Sequence, residues 1–322
     1  MIPFNEIIQI INAELNKLDW DKKPEGLYRP IAYVLSLGGK RIRPSLVLMA
    51  CNLFSDEVES AIAPALGIEI FHNFTLLHDD IMDKAELRRG HPTVHKKWDE
   101  NTAILSGDLM QIAAYQLISQ TKEPNLKNVL DVFSRTAAEV CEGQQYDINF
   151  EDRENVSPEE YLEMIRLKTA VLLGASLKIG AIVGNASNRN ANLLYDFGIN
   201  LGMAFQLKDD LLDVYGDEQF GKEIGGDIVA NKKTYLLISA QKLAEGTDAK
   251  ELNKWLTTDG ENKEKVKVIT TLYNRLGVKN ICENKMQEYF EKSIDCLNQV
   301  SVEEDKKKEL RLLAEQLMFR KE

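Results

Sequence analysis

The feature that most restricts this chain is its periodicity. Apolar residues recur at three- and four-residue spacing along almost its whole length, and the two-residue alternation of a strand is nearly absent. Ile7, Ile8, Ile11, Leu15 and Leu18 set the pattern from the start. The spacing predicts helices at about 3–19, 25–36, 43–53, 58–82, 99–120, 125–148, 158–184, 190–215, 232–245, 263–275, 278–299 and 302–320. Some ends have a chemical cause. Ser157-Pro158-Glu159-Glu160 offers a cap, a first-turn proline and a capping-box glutamate. Gly38-Gly39 and Gly143 read as breaks or close approaches, and Lys122-Glu123-Pro124-Asn125 as a turn. Residues 216–231 and 245–263 are polar and read as loops. No Pro/Ser-rich linker interrupts the pattern, so a single all-α domain over 1–322 is expected.

At 322 residues and 44% hydrophobic, the chain has ample apolar material for a core, which excludes disorder over most of its length. A net charge of −11 argues against a nucleic acid or a phospholipid surface as a general partner. Cys51, Cys141, Cys282 and Cys296 lie without framework spacing, as reduced thiols in a cytoplasm do. The first residues lack the charged start and long apolar core of a signal peptide. The most membrane-like stretch, 169–184, carries Lys178 and falls short of the roughly 20 residues of a span. Its many small residues suit a helix packed tightly in a core. A cytoplasmic protein with no transmembrane segment is expected.

One echo stands out. LLHDDIMD (76–83) and QLKDDLLD (206–213) repeat one pattern, their first aspartates 130 positions apart. In a helix, Asp79 and Asp83 share a face with Asp80 beside them, and Asp209, Asp213 and Asp210 do the same. Chance supplies roughly 0.1 such motifs per chain at ordinary aspartate abundance, so two are not accidental. Three adjoining carboxylates repel one another unless cations neutralise them. Oxygen donors favour Mg²⁺, Mn²⁺ or Ca²⁺ over zinc, and neither cluster has a calcium-loop pattern. Mg²⁺ takes one or two carboxylates and completes its shell with water and phosphate oxygens, so a polyphosphate ligand is implied.

The cations that such a ligand needs are present. Gly38-Gly39-Lys40-Arg41-Ile42-Arg43-Pro44 is a basic turn, and Arg88-Arg89-Gly90-His91-Pro92 follows the first cluster. Lys168-Thr169 interrupts an apolar helix, and Lys222 and Lys232 flank the loop after the second cluster. Any one of them alone would read as a solvated surface charge. As a set beside aspartates and glycine turns they suit phosphate, arginine as a bidentate fork and lysine as a point charge.

Together these residues resemble the trans-isoprenyl diphosphate synthases, the polyprenyl synthetase family. GGKRIRP, HNFTLLHDDIMDKAELRRGHPTVH, Lys168-Thr169, FQLKDDLLDVYGD and GKEIGGDIVANKKT stand in the family's order and spacing over residues 38–234. The resemblance implies an all-α isoprenoid synthase fold, a large antiparallel bundle around a deep central cavity, usually as a homodimer. It implies Mg²⁺-dependent head-to-tail condensation of isopentenyl diphosphate with dimethylallyl, geranyl or farnesyl diphosphate, Mn²⁺ being a possible substitute. Asp79, Asp80 and Asp83, with Asp209, Asp210 and Asp213 opposite, would hold the metal against the allylic diphosphate. Lys40, Arg43, His72 and Arg89 would grip isopentenyl diphosphate. Arg88, Lys168, Thr169, Gln206, Lys222 and Lys232 would line the allylic site, Lys168 also assisting catalysis and Thr169 and Gln206 softening the cation's charge; His78 would support the aspartates from behind.

Phe74 precedes Asp79 by five residues, about 7.5 Å along a helix, and in the family an aromatic there acts as a floor for the growing chain. Thr75 departs from the paired aromatics of animal and fungal farnesyl synthases, and the two-residue insertion of the bacterial farnesyl type is absent. Geranylgeranyl diphosphate is therefore the expected product, with farnesyl or longer products as alternatives. A terpene cyclase is disfavoured by KDDLLD, since its second metal motif usually mixes Asn, Ser/Thr and Glu. A non-catalytic subunit of a heteromeric synthase tends to lose a cluster or a clamp, and a structural cation-binding bundle leaves the ordered basic residues unexplained.

Overall fold

A computed structural model of the chain describes residues 1–216, 224–258, 260 and 262–319. The helical periodicity is realised as α1 (Phe4–Leu15), α2 (Glu25–Ser36), α3 (Ile42–Asn52), α4 (Ile62–Met82), α5 (Val94–Lys97), α6 (Glu100–Ile118), α7 (Leu126–Glu151) and α8 (Pro158–Ile165). Then follow α9 (Val171–Val183), α10 (Asn188–Tyr215), α11 (Gly226–Val229), α12 (Tyr235–Leu243), α13 (Gly246–Leu256), α14 (Asn262–Leu276), α15 (Val278–Gln299) and α16 (Glu304–Phe319). Among the described residues the only strands are the paired β1 (Leu87–Arg88) and β2 (His91–Pro92). The fold is all-α.

The Ser157 capping box forms as expected: Ser157 Oγ accepts from the Glu160 amide, and Glu160 Oε2 accepts from the Ser157 amide. Short elements absent from the periodicity reading are α5, the β1–β2 hairpin and α11, which lies inside the expected loop 216–231, and two longer stretches also differ. Residues 246–256 are helical, because Leu252 and Trp255 bury one stripe of an otherwise polar helix that composition alone made look like a loop. The expected helix 158–184 is broken at Arg166–Ala170 by a π turn. Of the expected loop 216–231, residues 217–223, including Lys222, lie outside the described residues.

The chain forms two compact units. The first comprises Met1–Ser134, Ala175–Tyr195 and Ser301–Leu310. Its centre is α3, which is apolar around its circumference and is buried from Pro44 to Asn52. α9 meets α3 so closely that a Cβ at Gly180 would lie 2.1 Å from the Val47 carbonyl oxygen, the tight packing its small residues foretold. Within this unit α4 lies along α6 and carries Ile68, Phe71 and Phe74 into the core. The second unit comprises Arg135–Gly174, Asp196–Val300 and Arg311–Glu322. Its core joins Tyr161, Leu207, Leu236, Ile269, Tyr273 and Cys282.

Among the described residues one helical stretch, Glu59–Met82, has the length and hydropathy of a membrane span. The window that qualifies is 67% buried inside the protein, as a core helix is.

Candidate active site

Both aspartate clusters sit at helix C-termini. Asp79 and Asp80 occupy the last turn of α4 and Asp83 caps it, while Asp209, Asp210 and Asp213 lie in the last two turns of α10. The helix dipole is negative at that end and disfavours carboxylates there, so each cluster pays twice for its position unless a cation offsets it.

In the first unit, Asp80 is buried and Arg88 grips it from β1, with Arg88 Nε 2.9 and 2.8 Å from the two carboxylate oxygens and Nη2 2.7 Å from Oδ1. Burial lifts the Asp80 carboxyl above the usual range, and the Arg88 guanidinium opposes that shift. Arg88 Nη2 also lies 3.9 Å from Asp79. The β1–β2 turn is Arg89-Gly90, with φ of 53° and 77°. Positive values at both central residues suit a two-residue hairpin. Arg89 Nη1 donates to the Gly38 carbonyl, which ties this hairpin to the basic turn. Burial lowers the Arg89 pKa, as expected of a guanidinium partly stripped of water.

Within the basic turn the cations divide. Arg43 Nη1 donates to His72 Nε2 at 3.2 Å, so that nitrogen is unprotonated. Burial, with Arg43, Arg89, Arg88 and Arg41 nearby, holds the His72 pKa well below 6.5. Lys40 is exposed beside them. Arg41 is a strut instead. Its side chain is buried against Glu69 at 2.5 Å, with further bonds from Nε to Asn12 and from Nη2 to the Leu35 carbonyl. Phe74 is buried, its ring 5.5 Å from Phe71, and the Thr75 hydroxyl donates to the His72 carbonyl.

In the second unit, Lys168 and Thr169 sit on the π turn. One extra residue widens a helical turn, a distortion common at functional sites. Two helices grip it. A Cβ at Gly143 of α7 would lie 2.3 Å from the Lys168 amide nitrogen, and one at Gly202 of α10 would lie 2.7 Å from the Ala170 Cα. Lys168 Nζ is 2.6 Å from Asp147 of α7. Thr169 donates to Gln206 Oε1 at 3.2 Å, and Gln206 Nε2 donates to Asp210 Oδ1 at 3.3 Å. Asp210 is buried, and its other oxygen accepts from the Tyr161 hydroxyl at 2.5 Å and the Tyr235 amide at 3.4 Å. Burial raises its pKa to about 7, against the pull of those hydrogen bonds. Asp213 accepts from the Asp227 amide, and the exposed Lys232 lies 4.0 Å from the Asp227 carboxylate.

Tyr161, Asp147 and Asp227 were not singled out from the sequence. Each is a lone residue whose partner is remote along the chain, so only GKEIGGDIVANKKT hinted at one of them, Asp227. Among the described residues no three His, Cys, Asp or Glu converge tightly enough to cage a metal.

A family model described as polyprenyl synthetase matches residues 24–273. The chain belongs to the polyprenyl synthetase family and is a prenyltransferase with the isoprenoid synthase fold. Among similar proteins, a geranylgeranyl diphosphate synthase of Sulfolobus acidocaldarius is 37% identical over 318 residues, 97% of this chain and 96% of that one. A geranylfarnesyl diphosphate synthase of Natronomonas pharaonis is 37% identical over 81% of this chain and 82% of its own. The crystal structure of a geranylgeranyl pyrophosphate synthetase from Pyrococcus horikoshii superposes with a TM-score of 0.92 at 35% identity, covering 98% of both chains. A polyprenyl synthase from Caulobacter crescentus, solved with calcium and isoprenyl diphosphate, is 26% identical with a TM-score of 0.87, covering 99% of this chain and 98% of its own.

Proposed function

We propose that the chain condenses isopentenyl diphosphate with allylic diphosphates in the presence of Mg²⁺ and releases geranylgeranyl diphosphate. The observation that carries this reading is that each unit places a carboxylate cluster at a helix C-terminus with cationic side chains in the same unit. Asp79, Asp80, Asp83, Asp209, Asp210 and Asp213 would hold the metal, with Asp80 steadied by Arg88 and Asp210 by Tyr161 and Gln206. Bound Mg²⁺, or Mn²⁺ in its place, supplies Lewis-acid neutralisation of the departing diphosphate.

The chain's own residues do the rest. Lys40, Arg43, His72 and Arg89 bind isopentenyl diphosphate; Arg88, Lys168, Thr169, Gln206, Lys222 and Lys232 serve the allylic diphosphate. Fixed cations stabilise the leaving group's charge more cheaply than mobile water does. Thr169, whose hydroxyl donates a hydrogen bond to Gln206, keeps lone-pair density for a developing allylic cation. The isopentenyl double bond then bonds to the allylic carbon, and a proton is lost to the released diphosphate. Phe74 is the floor of the hydrocarbon site, and the geranylgeranyl synthases among the relatives support a twenty-carbon product.

One domain over 1–322, a homodimer and a cytoplasmic location complete the reading. Ile104, Leu105 and Ile112 of α6 are 42%, 58% and 55% exposed, an apolar stripe that a second copy would cover. The deciding experiment incubates the protein with isopentenyl diphosphate, Mg²⁺ and each allylic primer, then sizes the products by chromatography. A fifteen-carbon or twenty-five-carbon main product would replace geranylgeranyl with farnesyl or geranylfarnesyl, and no product from any primer would overturn the reading.

A further inference from the structure

Phe74 is held from two sides along one face of α4. On one side stands Phe71, itself edge-on to Phe133 at 5.2 Å. On the other, one turn later, stands His78, its ring centroid 4.7 Å from that of Phe74 at 67°. Such edge-to-face pairs have a preferred geometry, so where the His78 ring lies constrains how Phe74 can turn.

The His78 ring has little freedom of its own. Its Nε2 lies 3.2 Å from the Ile104 carbonyl oxygen, which can only accept, so Nε2 carries the proton and donates. The ring also fills space that a glycine leaves open: a Cβ at Gly107 of α6 would lie 2.2 Å from Nε2 and 2.5 Å from Cδ2. The two helices therefore meet through this ring. Any side chain at 107 displaces it, and displacing it removes one wall of the Phe74 pocket.

Resting on the proposal that Phe74 is the floor, we propose that His78 is a positioning residue for product length: seated on Gly107 and the Ile104 carbonyl, it holds the Phe74 ring across the growing chain. With the ring gone or displaced, Phe74 turns aside more often and longer products follow. An edge-to-face contact is worth enough to change the ratio of longer to parental product roughly two- to tenfold.

The test compares product ladders of the full-length protein and four variants, H78N, G107A, G107A/H78N and F74A, with Mg²⁺ and each primer. H78N and G107A should each raise the ratio, and the double variant should match H78N alone, because no ring remains for the new methyl group to displace. H78N removes the ring without crowding α6, so it serves if G107A does not fold. Parental ladders in H78N and G107A, with lengthened products in F74A, would overturn the role of His78 while leaving the floor in place. An additive shift in the double variant would refute coupling through the ring. An unchanged ladder in F74A would remove the floor itself, and with it any route for His78 through Phe74.

Discussion

The basic turn holds two arginines two residues apart, and the structure gives them opposite tasks that one substitution can separate. Arg41 is 7% exposed and Glu69 is 3% exposed, and they form an ion pair at 2.5 Å. R41L removes the charge and leaves Glu69 buried with Asn73 Nδ2, 3.1 Å away, as its remaining side-chain partner among the bonds described. Breaking one side of a buried pair costs about 3–5 kcal/mol, since an uncompensated charge stays in the core. At 2–4 °C per kcal/mol, the melting temperature should fall by roughly ten degrees. Replacing both partners, R41L/E69L, should recover most of that loss, because an apolar pair needs no compensation. R43A should melt close to the parent and instead weaken isopentenyl diphosphate. The assay is thermal unfolding followed by circular dichroism, alongside KM for isopentenyl diphosphate well below the transition. If R41L melted like the parent while its KM rose tenfold, Arg41 would be a ligand contact and the strut assignment would be wrong.

Other expectations follow from the same geometry. D79A and D209A should each lower turnover roughly a hundredfold or more with helicity intact, and EDTA should abolish activity; near-parental rates in either variant or without metal would refute the carboxylate–metal reading. R43A and R89A should raise KM for isopentenyl diphosphate about ten- to a hundredfold, and K168A should do so for the allylic substrate; equal effects on both substrates in all three would undo the division of sites. His72 is held well below 6.5, so the unfolded chain takes its proton first, and the stability it contributes is complete above pH 6.5 and is lost as pH falls toward the folded value. H72Q should therefore flatten the fall in melting temperature below pH 6.5, and an unchanged slope would show that another group drives it.

What could be read in advance were features that local spacing encodes. The doubled aspartate motif, the 157–160 capping box and the small-residue helix at 169–184 each declare themselves within a few residues. The supports of the site do not. Tyr161 meets Asp210 across 49 positions and Asp147 meets Lys168 across 21, so neither pair leaves a mark on periodicity. The π turn is equally silent, because one extra residue in an apolar helix changes no composition. Arg41 stands in the basic turn without an assigned role, and only the burial of Glu69 one helix away reveals it as structural. α13 was missed because its two anchors, Leu252 and Trp255, are outnumbered by polar residues.

The glycines at 143 and 202 carry a consequence for anyone engineering the product range. The turn bearing Lys168 and Thr169 is wedged between backbones with no room for even a methyl group at either position. A combinatorial library built around the proposed hydrocarbon site can diversify Phe74 and Thr75, because those changes trade one side-chain shape for another. The same library should keep 143 and 202 as glycine. Variation there would move main chain rather than reshape a wall, and a deep mutational scan should return both positions as columns in which no substitution survives.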